Sequence, residues 1–425
     1  MQHVIIGNGI AAISAIESIR ENDKRSKITV ISDEPQSNYS RPLISYFLGR
    51  QVSLDKIGFR GKDFYKKNKA ILISDKKAMK LDFKSKQVIL SDKRKIAFDK
   101  LLLATGGLPI IPEIKGINSR GVFTFTKLEE ARDIEKYIHA NKVKKAVILG
   151  GGLIGLKATE AAIRLGIKVT IVEMADRILS ANFDKKASGI IEKALEKTGC
   201  QLVTDNTVAE IKGENKKVKE VILKNNRKIP TKLVIIAIGV RPNIELVKRA
   251  PIRTNKGILV NSHMQTNIEN IYAAGDCCEA KNSLLNTNRP IAIWPASAKQ
   301  GKIAGLNMAG IGKGYEGSFP MNSVELCGIP TVSIGESYPE GENYQILEYY
   351  DPEKSIYKKI VVKNNKIIGA IFIGDIERAG IYTGIIRDKI DITDFKEHLL
   401  KEDFGLISLP MDYRKHLVAG KGVII

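Results

Sequence analysis

The chain has 425 residues, 43% of them hydrophobic, and 68 Lys+Arg against 47 Asp+Glu give it a net charge of +21. That length exceeds one compact core and predicts two or three domains, while no apolar run reaches the length of a membrane span. Cys200, Cys277, Cys278 and Cys327 are too few for a disulfide scaffold and form no C-x-x-C pair, and five scattered histidines give no zinc spacing.

The apolar run Val4-Ile5-Ile6 leads into Gly7-Asn8-Gly9-Ile10-Ala11-Ala12, which reads as strand, glycine turn, helix. A second strand, Ile28-Thr29-Val30-Ile31, is followed by Asp33 and Glu34. Its start at about Gln2 predicts no signal or transit peptide, and hence a cytoplasmic protein. After the loop Asn38-Tyr39-Ser40-Arg41-Pro42-Leu43, the strand ending Ala104-Thr105-Gly106-Gly107 closes a first nucleotide domain, and Pro109 and Pro112 mark a linker. Residues 126–141 have helical spacing, with Thr126 as N-cap and Glu129 three residues on.

The pattern then repeats 143 residues after its first occurrence. Ala146-Val147-Ile148-Leu149 leads into Gly150-Gly151-Gly152-Leu153-Ile154-Gly155, and Val169-Thr170-Ile171-Val172 leads into Glu173. One such turn is weak evidence; two, each with its strand, helix and downstream acid, predict two dinucleotides on one chain. A pyrophosphate favours a helix N-terminus, where free N–H groups and the macrodipole meet its charge. The first glycine turns the chain, the second admits the phosphate, and the third packs helix on strand, a place Ala12 takes in the first copy. Glu173, 23 residues after Gly150, is placed to accept ribose hydroxyls and repel a 2′-phosphate, which favours NADH over NADPH; nearby Arg177 softens that preference.

The strand 233–238 ends in Gly239-Val240-Arg241-Pro242-Asn243. The chain then returns to the first domain through Ile271-Tyr272-Ala273-Ala274-Gly275-Asp276 and a helix over 295–308. Beyond 320, alternating strands at 358–362 and 367–373 flank an Asn364-Asn365 hairpin turn, and helices are expected near 380–387 and 394–400. Residues 410–425 carry no placeable pattern. The expected fold is α/β, with two Rossmann-like three-layer nucleotide domains and a C-terminal α+β domain. An FAD domain takes 1–113 and 245–318, an NAD domain 114–244, and the α+β domain 319–425.

Cys277-Cys278 and Cys327 read as packing residues. Lysine is spread over almost every polar face, so the +21 charge is first a residue bias; functionally it would steer an acidic partner. Nucleic acid fits less well, since no aromatic-rich basic module accompanies the charge.

These motifs, with Trp294-Pro295-Ala296 and Gln300-Gly301, resemble the FAD-dependent pyridine nucleotide–disulfide oxidoreductase superfamily over nearly the whole chain. The similar branch holds NADH–rubredoxin reductases, the flavin module of nitrite reductases, and clostridial flavoproteins associated with carbon monoxide dehydrogenase. The resemblance implies that Gly7, Gly9, Ala11, Ala12, Ala104, Thr105 and Gly106 hold FAD, with Asp33 and Glu34 on the adenosine ribose. Arg41 would lie by the phosphates, Ala78 at the adenine, and Asp276 on the ribityl chain. Trp294, Ala296 and Gln300 belong to a helix whose N-terminal dipole would face the flavin and stabilise its anionic reduced form. Gly150, Gly152, Ile154, Gly155, Glu173 and Gly239 would hold NAD.

Three departures alter the expectation. Disulfide reductases of the superfamily carry a redox cysteine on the first helix or just after it, and here residues 1–199 contain none. Tyr46 stands where related ferredoxin reductases often have lysine, and Lys157 where many relatives have glutamate. Both places lie near the flavin in the family, and a cation at Lys157 would raise the flavin potential. The expected activity is therefore electron transfer between NADH and an acidic iron–sulfur carrier (a rubredoxin, a ferredoxin-like protein or a partner subunit), with no side chain serving as catalyst. Direct reduction of oxygen species and an NADH-responsive nucleic-acid-binding flavoprotein are the alternatives, and a homodimer is left open.

Overall fold

The computed structural model describes residues 1–339, 343–411 and 414. Its α-helices among these are α1 Ile10–Asn22, α2 Ile44–Leu48, α3 Phe64–Lys67, α4 Leu128–Asn141, α5 Leu153–Arg164, α6 Lys185–Lys197, α7 Trp294–Met308 and α8 Ala379–Asp388. By internal contacts the chain divides into two compact units. One holds Met1–Asp176 and Gly199–Phe319, the other Arg177–Thr198 and the residues from Pro320 onward.

The first unit contains two five-stranded parallel sheets. One runs Ile271–Ala273, Lys100–Leu103, Gln2–Ile6, Lys27–Ile31, Ala70–Ile73. Its strands are apolar on both faces because helices and loops cover both: Val4, Ile5, Val30, Leu101 and Leu102 have no exposed surface. The other runs Gln201–Val203, Lys168–Val172, Lys145–Leu149, Leu233–Ile236, Val122–Thr124. In each sheet the strand that feeds a glycine turn sits where the winding order reverses, which opens a crevice at its carboxyl end. A short antiparallel pair, Val240–Pro242 with Gly107–Pro109, ties the segments that link the two sheets.

The second unit is built on a five-stranded antiparallel sheet in the order Met321–Leu326, Ile329–Gly335, Lys366–Ile373, Ile356–Lys363, Gln345–Asp351. Asn364 and Asn365 both adopt positive φ, the conformation that a two-residue hairpin turn requires. Arg177–Thr198, which the sequence places within an NAD domain, groups here with the C-terminal residues. A polar knot joins these segments. Asp184, N-cap of α6, takes Lys359 Nζ at 3.0 Å and the Tyr357 hydroxyl at 2.8 Å, and Lys186 pairs with Glu348 at 2.5 Å.

Two local expectations shift. Helix α4 begins at Leu128 with Lys127 as N-cap, one residue later than expected. It is Glu130, not Glu129, that turns back to accept from the Thr126 and Lys127 amides at 2.5 and 3.0 Å, while Glu129 pairs with Arg132. The helix expected over 394–400 is instead a 3-10 turn, Lys396–His398, which sets Phe395 and Leu399 into the core beside Tyr382 and Phe404. Of the unplaced tail, residues 412–413 and 415–425 lie outside the described residues. No helix among the described residues is long and apolar enough to cross a membrane.

Candidate dinucleotide sites

Gly7 has φ of +110°, and a Cβ there would lie 2.0 Å from the Ala104 carbonyl oxygen, so the turn after the first strand admits glycine alone. Gly9 is different. Its φ is ordinary, and a Cβ would meet nothing within 4 Å. It is the N-cap of α1, which has neither a side-chain cap nor an acidic residue in its first turn. A helix N-terminus left bare beside open space has its N–H groups free for an anion.

The second copy repeats this. Gly150 has φ of +109°, with a virtual Cβ 2.5 Å from the Ala237 carbonyl oxygen. Gly152 is the uncapped N-cap of α5 with nothing within 4 Å, and a Cβ on Gly155 would lie 2.0 Å from the Gly150 oxygen. Each of the three glycines thus performs the distinct task its place demands, and both turns fit a pyrophosphate.

A cavity opens at the first turn. Of the residues the sequence assigned to FAD, Gly9, Ala11, Asp33, Glu34, Arg41, Ala104, Thr105, Gly106, Asp276 and Trp294 line it, and so does Ile154, assigned to NAD. Gly7 and Ala12 are not among the lining residues; Gly7 abuts Ala104, which is. Ala78, on the strand Ala78–Asp82, is not among the lining residues. Ala296 and Gln300 are buried within α7. The Gln300 amide oxygen accepts from the Gly275 backbone at 2.8 Å, which makes it a positioning residue for the Gly275-Asp276 turn.

Glu34 and Asp33 are held differently. Glu34 is buried, accepting from the Tyr39 hydroxyl at 2.6 Å and from Arg41 at 2.5 Å. Arg41 also donates to the Thr126 carbonyl at 2.9 Å. Asp33 is exposed and pairs with Lys127 at 2.8 Å. Burial pushes the Tyr39 phenol well above its usual range, so it stays a hydrogen-bond donor. Burial likewise raises the Asp276 carboxyl, and the Ser297 hydroxyl, donating at 3.0 Å, opposes this. Tyr39, Lys127, Ser297 and Asn243 are site residues that the sequence reading passed over. Tyr39 lies in the loop 38–43, where no motif marks it. Asn243 and Thr105 lock together by a Thr105 hydroxyl to Asn243 carbonyl bond of 2.6 Å across 138 residues, invisible to any local pattern.

Helix α7 reaches the cavity because α1 lets it pass. A Cβ on Gly301 would lie 2.0 Å from the Ala11 oxygen, and one on Gly305 2.6 Å from the Ala15 oxygen, so the two helices cross at backbone contact. The crossing brings the uncapped N-terminus of α7, with Trp294 and Ser297, into the lining.

At the second turn, Glu173 accepts from the Gly151 and Ala175 amides at 2.6 and 2.8 Å, one through each carboxylate oxygen. Its lone pairs are thereby aimed while acceptor capacity remains for ribose hydroxyls. Gly239 has φ of +114°. Arg177 donates to the Phe183 carbonyl at 3.2 Å and stacks over Tyr338, within the second unit.

Tyr46 on α2 and Lys157 on α5 meet. Lys157 Nζ lies 4.9 Å from the Tyr46 ring centroid and pairs with Glu160 at 2.5 Å. Ile44 and Ile154, earlier on the same two helices, line the cavity. The ammonium at this place is therefore matched by a carboxylate one helical turn away, so it presents a dipole more than a bare charge. Cys277 and Cys278 are fully buried free thiols, and burial raises both of their pKa values, most strongly for Cys278.

Comparison with known proteins agrees with this geometry. Residues 1–301 match the family model for pyridine nucleotide-disulphide oxidoreductases, and 320–390 that for the rubredoxin NAD+ reductase C-terminal domain. The chain is 33% identical, over 92% of its length, to the nitrite reductase [NAD(P)H] of Bacillus subtilis, but spans about half of that protein, 48%. The solved NAD-dependent persulfide reductase from A. fulgidus covers 95% of the chain with TM-score 0.87 and 27% identity, the match taking in 79% of that protein. The NADH:rubredoxin oxidoreductase from Clostridium acetobutylicum covers 93% with TM-score 0.77 and 26% identity, the match taking in 97% of that protein. With two glycine turns built for dinucleotides and a family match over most of its length, the chain belongs to the pyridine nucleotide–disulphide oxidoreductases, an enzyme that works with FAD and NAD.

Proposed function

We propose that this chain passes electrons between NADH and an iron–sulfur electron carrier (a rubredoxin, a ferredoxin-like protein or a partner subunit), by way of FAD and without a redox-active disulfide. The observation that carries the reading is the pairing of two bare dinucleotide turns with a cavity that no thiol lines. Residues 1–199 hold no cysteine, and Cys277 and Cys278 are buried with raised pKa values, which disfavours the nucleophilic thiolate. Bound FAD supplies the two-electron to one-electron chemistry. The chain's residues supply the rest: α1 and α5 offer N–H groups to the phosphates, Glu34 and Glu173 offer acceptors to the riboses, and the α7 dipole favours negative charge at the cavity. The likeness of residues 320–390 to the C-terminal domain of rubredoxin NAD+ reductases supports a small iron–sulfur acceptor, and the +21 charge favours an acidic one. Glu173 favours NADH over NADPH.

The test is anaerobic stopped-flow. Reduction of the FAD-loaded protein by NADH faster than by NADPH, followed by rapid reduction of rubredoxin or ferredoxin, is the expected result. Fast reduction with transfer to neither carrier, but prompt reoxidation by oxygen, would replace the acceptor reading with an oxidase. No reduction by NADH would overturn the reading of the second turn.

A further inference from the structure

Away from the dinucleotide turns, the first unit holds a cavity of about 690 Å³ whose wall is dominated by lysine. Lys142, Lys144, Lys145, Lys217, Lys219 and Lys232 line it, with Glu214 as the one carboxylate among the lining residues. Chain-wide lysine bias explains exposed lysines singly. It does not explain six converging from three separate stretches of chain on one concavity.

The convergence follows from the fold. Lys145 opens the strand Lys145–Leu149, and Lys232 immediately precedes its parallel neighbour Leu233–Ile236, so both lie at the amino end of that sheet. Lys217 and Lys219 stand two apart on Lys217–Leu223 and therefore point to one face. Lys142 caps α4 in a left-handed conformation, φ 47°, its amide bonded back to the helix. The Thr231 hydroxyl donates to the Lys145 carbonyl at 3.0 Å, tying two of these segments together. The wall is thus held together through the backbone.

The charge is poorly balanced. Lys219 pairs with Glu214 at 2.9 Å, while Lys217 and Lys232 reach the neutral Asn141 side chain and carbonyl at 3.2 and 3.3 Å. Lys142, Lys144 and Lys145 have no ion pair among the described residues. The volume lies within the range of small-molecule sites. Ammonium groups on flexible stems suit a phosphate chain, whose oxygens carry charge along a line. The place also excludes a direct part in the redox chemistry. Lys145 and the Gly150 turn sit at opposite ends of one strand, about 17 Å apart at the usual rise.

We propose that this cavity binds a linear polyphosphate chain, as part of a nucleotide or as inorganic polyphosphate, at a site separate from both dinucleotides. The probes are ATP and inorganic triphosphate, titrated calorimetrically at low salt into the FAD-loaded protein with NAD+ saturating. Comparison is with Lys142→Gln/Lys144→Gln/Lys145→Gln, and with Lys84→Gln/Lys86→Gln/Lys93→Gln, which removes the same charge from exposed lysines of the first domain. The expected result is saturable binding of one equivalent, weakened at least tenfold in the first triple variant and little changed in the second, with flavin reduction by NADH unaffected in both. ATP binding more tightly than triphosphate would identify the nucleotide as the source, and equal affinities the phosphate chain alone. Equal weakening in both variants would reduce the effect to diffuse charge and overturn the site, as would the absence of saturable binding by the wild-type protein.

Discussion

Gly152 and Gly155 differ in what a side chain would meet, and this separates binding from folding. At Gly152 the backbone is ordinary and the space open, so Gly152→Val should leave stability within about 1 kcal/mol. The same change should raise the dissociation constant for NADH at least tenfold, read from flavin reduction rates against NADH concentration. At Gly155 the methyl of alanine would collide with the Gly150 oxygen, so Gly155→Ala should lower the melting temperature as well. The Lys157–Glu160 pair gives a second residue-level expectation. Removing the cation in Lys157→Met leaves net negative charge beside the cavity and should lower the flavin midpoint potential. Glu160→Gln should raise it. A shift of ~30 mV either way corresponds to about 1.4 kcal/mol for a two-electron couple, and an unchanged potential in Lys157→Glu would show that the pair does not sense the flavin. His3 supplies a pH test. It is fully buried, its ring nitrogens lack hydrogen-bond partners among the described residues, and burial outweighs nearby Asp23 to pull its pKa below the ordinary 6.5. A lowered folded-state value means that folding favours neutral imidazole. The associated stability is therefore full above pH 6.5 and lost as pH falls toward the folded value. Urea midpoints at pH 7.5 and 5.5 should differ less in His3→Gln than in the wild type.

At the scale of elements, the polar knot around Asp184 ties the start of α6 to the strand Ile356–Lys363. Burial alone would raise the Asp184 carboxyl, but the Ala187 amide, Tyr357 and Lys359 together bring it below its usual range. Lys359 is buried, so Asp184→Ala strands a cation and removes a helix cap, and should cost on the order of 3 kcal/mol in chemical denaturation. Local pattern could not show this knot, because Tyr357 lies 173 residues from Asp184. The start of α4 is a milder case. Two adjacent glutamates offered two capping registers, and the one chosen follows from Glu130 also accepting from Thr124, while Glu129 is engaged by Gln36 and Arg132. The crossing of α7 over α1 was half legible. Gly301 stood out in the sequence, but that it and Gly305 meet Ala11 and Ala15 is a fact of tertiary structure.

For the whole molecule, the distribution of thiols gives the proposed disulfide-free chemistry a direct test. With no cysteine before Cys200, and with Cys277 and Cys278 buried, native protein treated with iodoacetamide should keep its NADH-dependent flavin reduction within about twofold. Loss of reduction without unfolding would show that a thiol takes part. Two strand–turn–helix units, their downstream acids and the lack of any cysteine in residues 1–199 are legible from the amino-acid order. Each of these is a property of contiguous residues, where glycine geometry and apolar periodicity act over a few positions. Long-range packing sets that Tyr39 and Arg41 hold Glu34, that Thr105 locks to Asn243, that Lys157 faces Tyr46, and that six lysines from three stretches of chain share one cavity. Those arrangements depend on which strands lie side by side, and hydrophobic burial sets that over the whole chain at once.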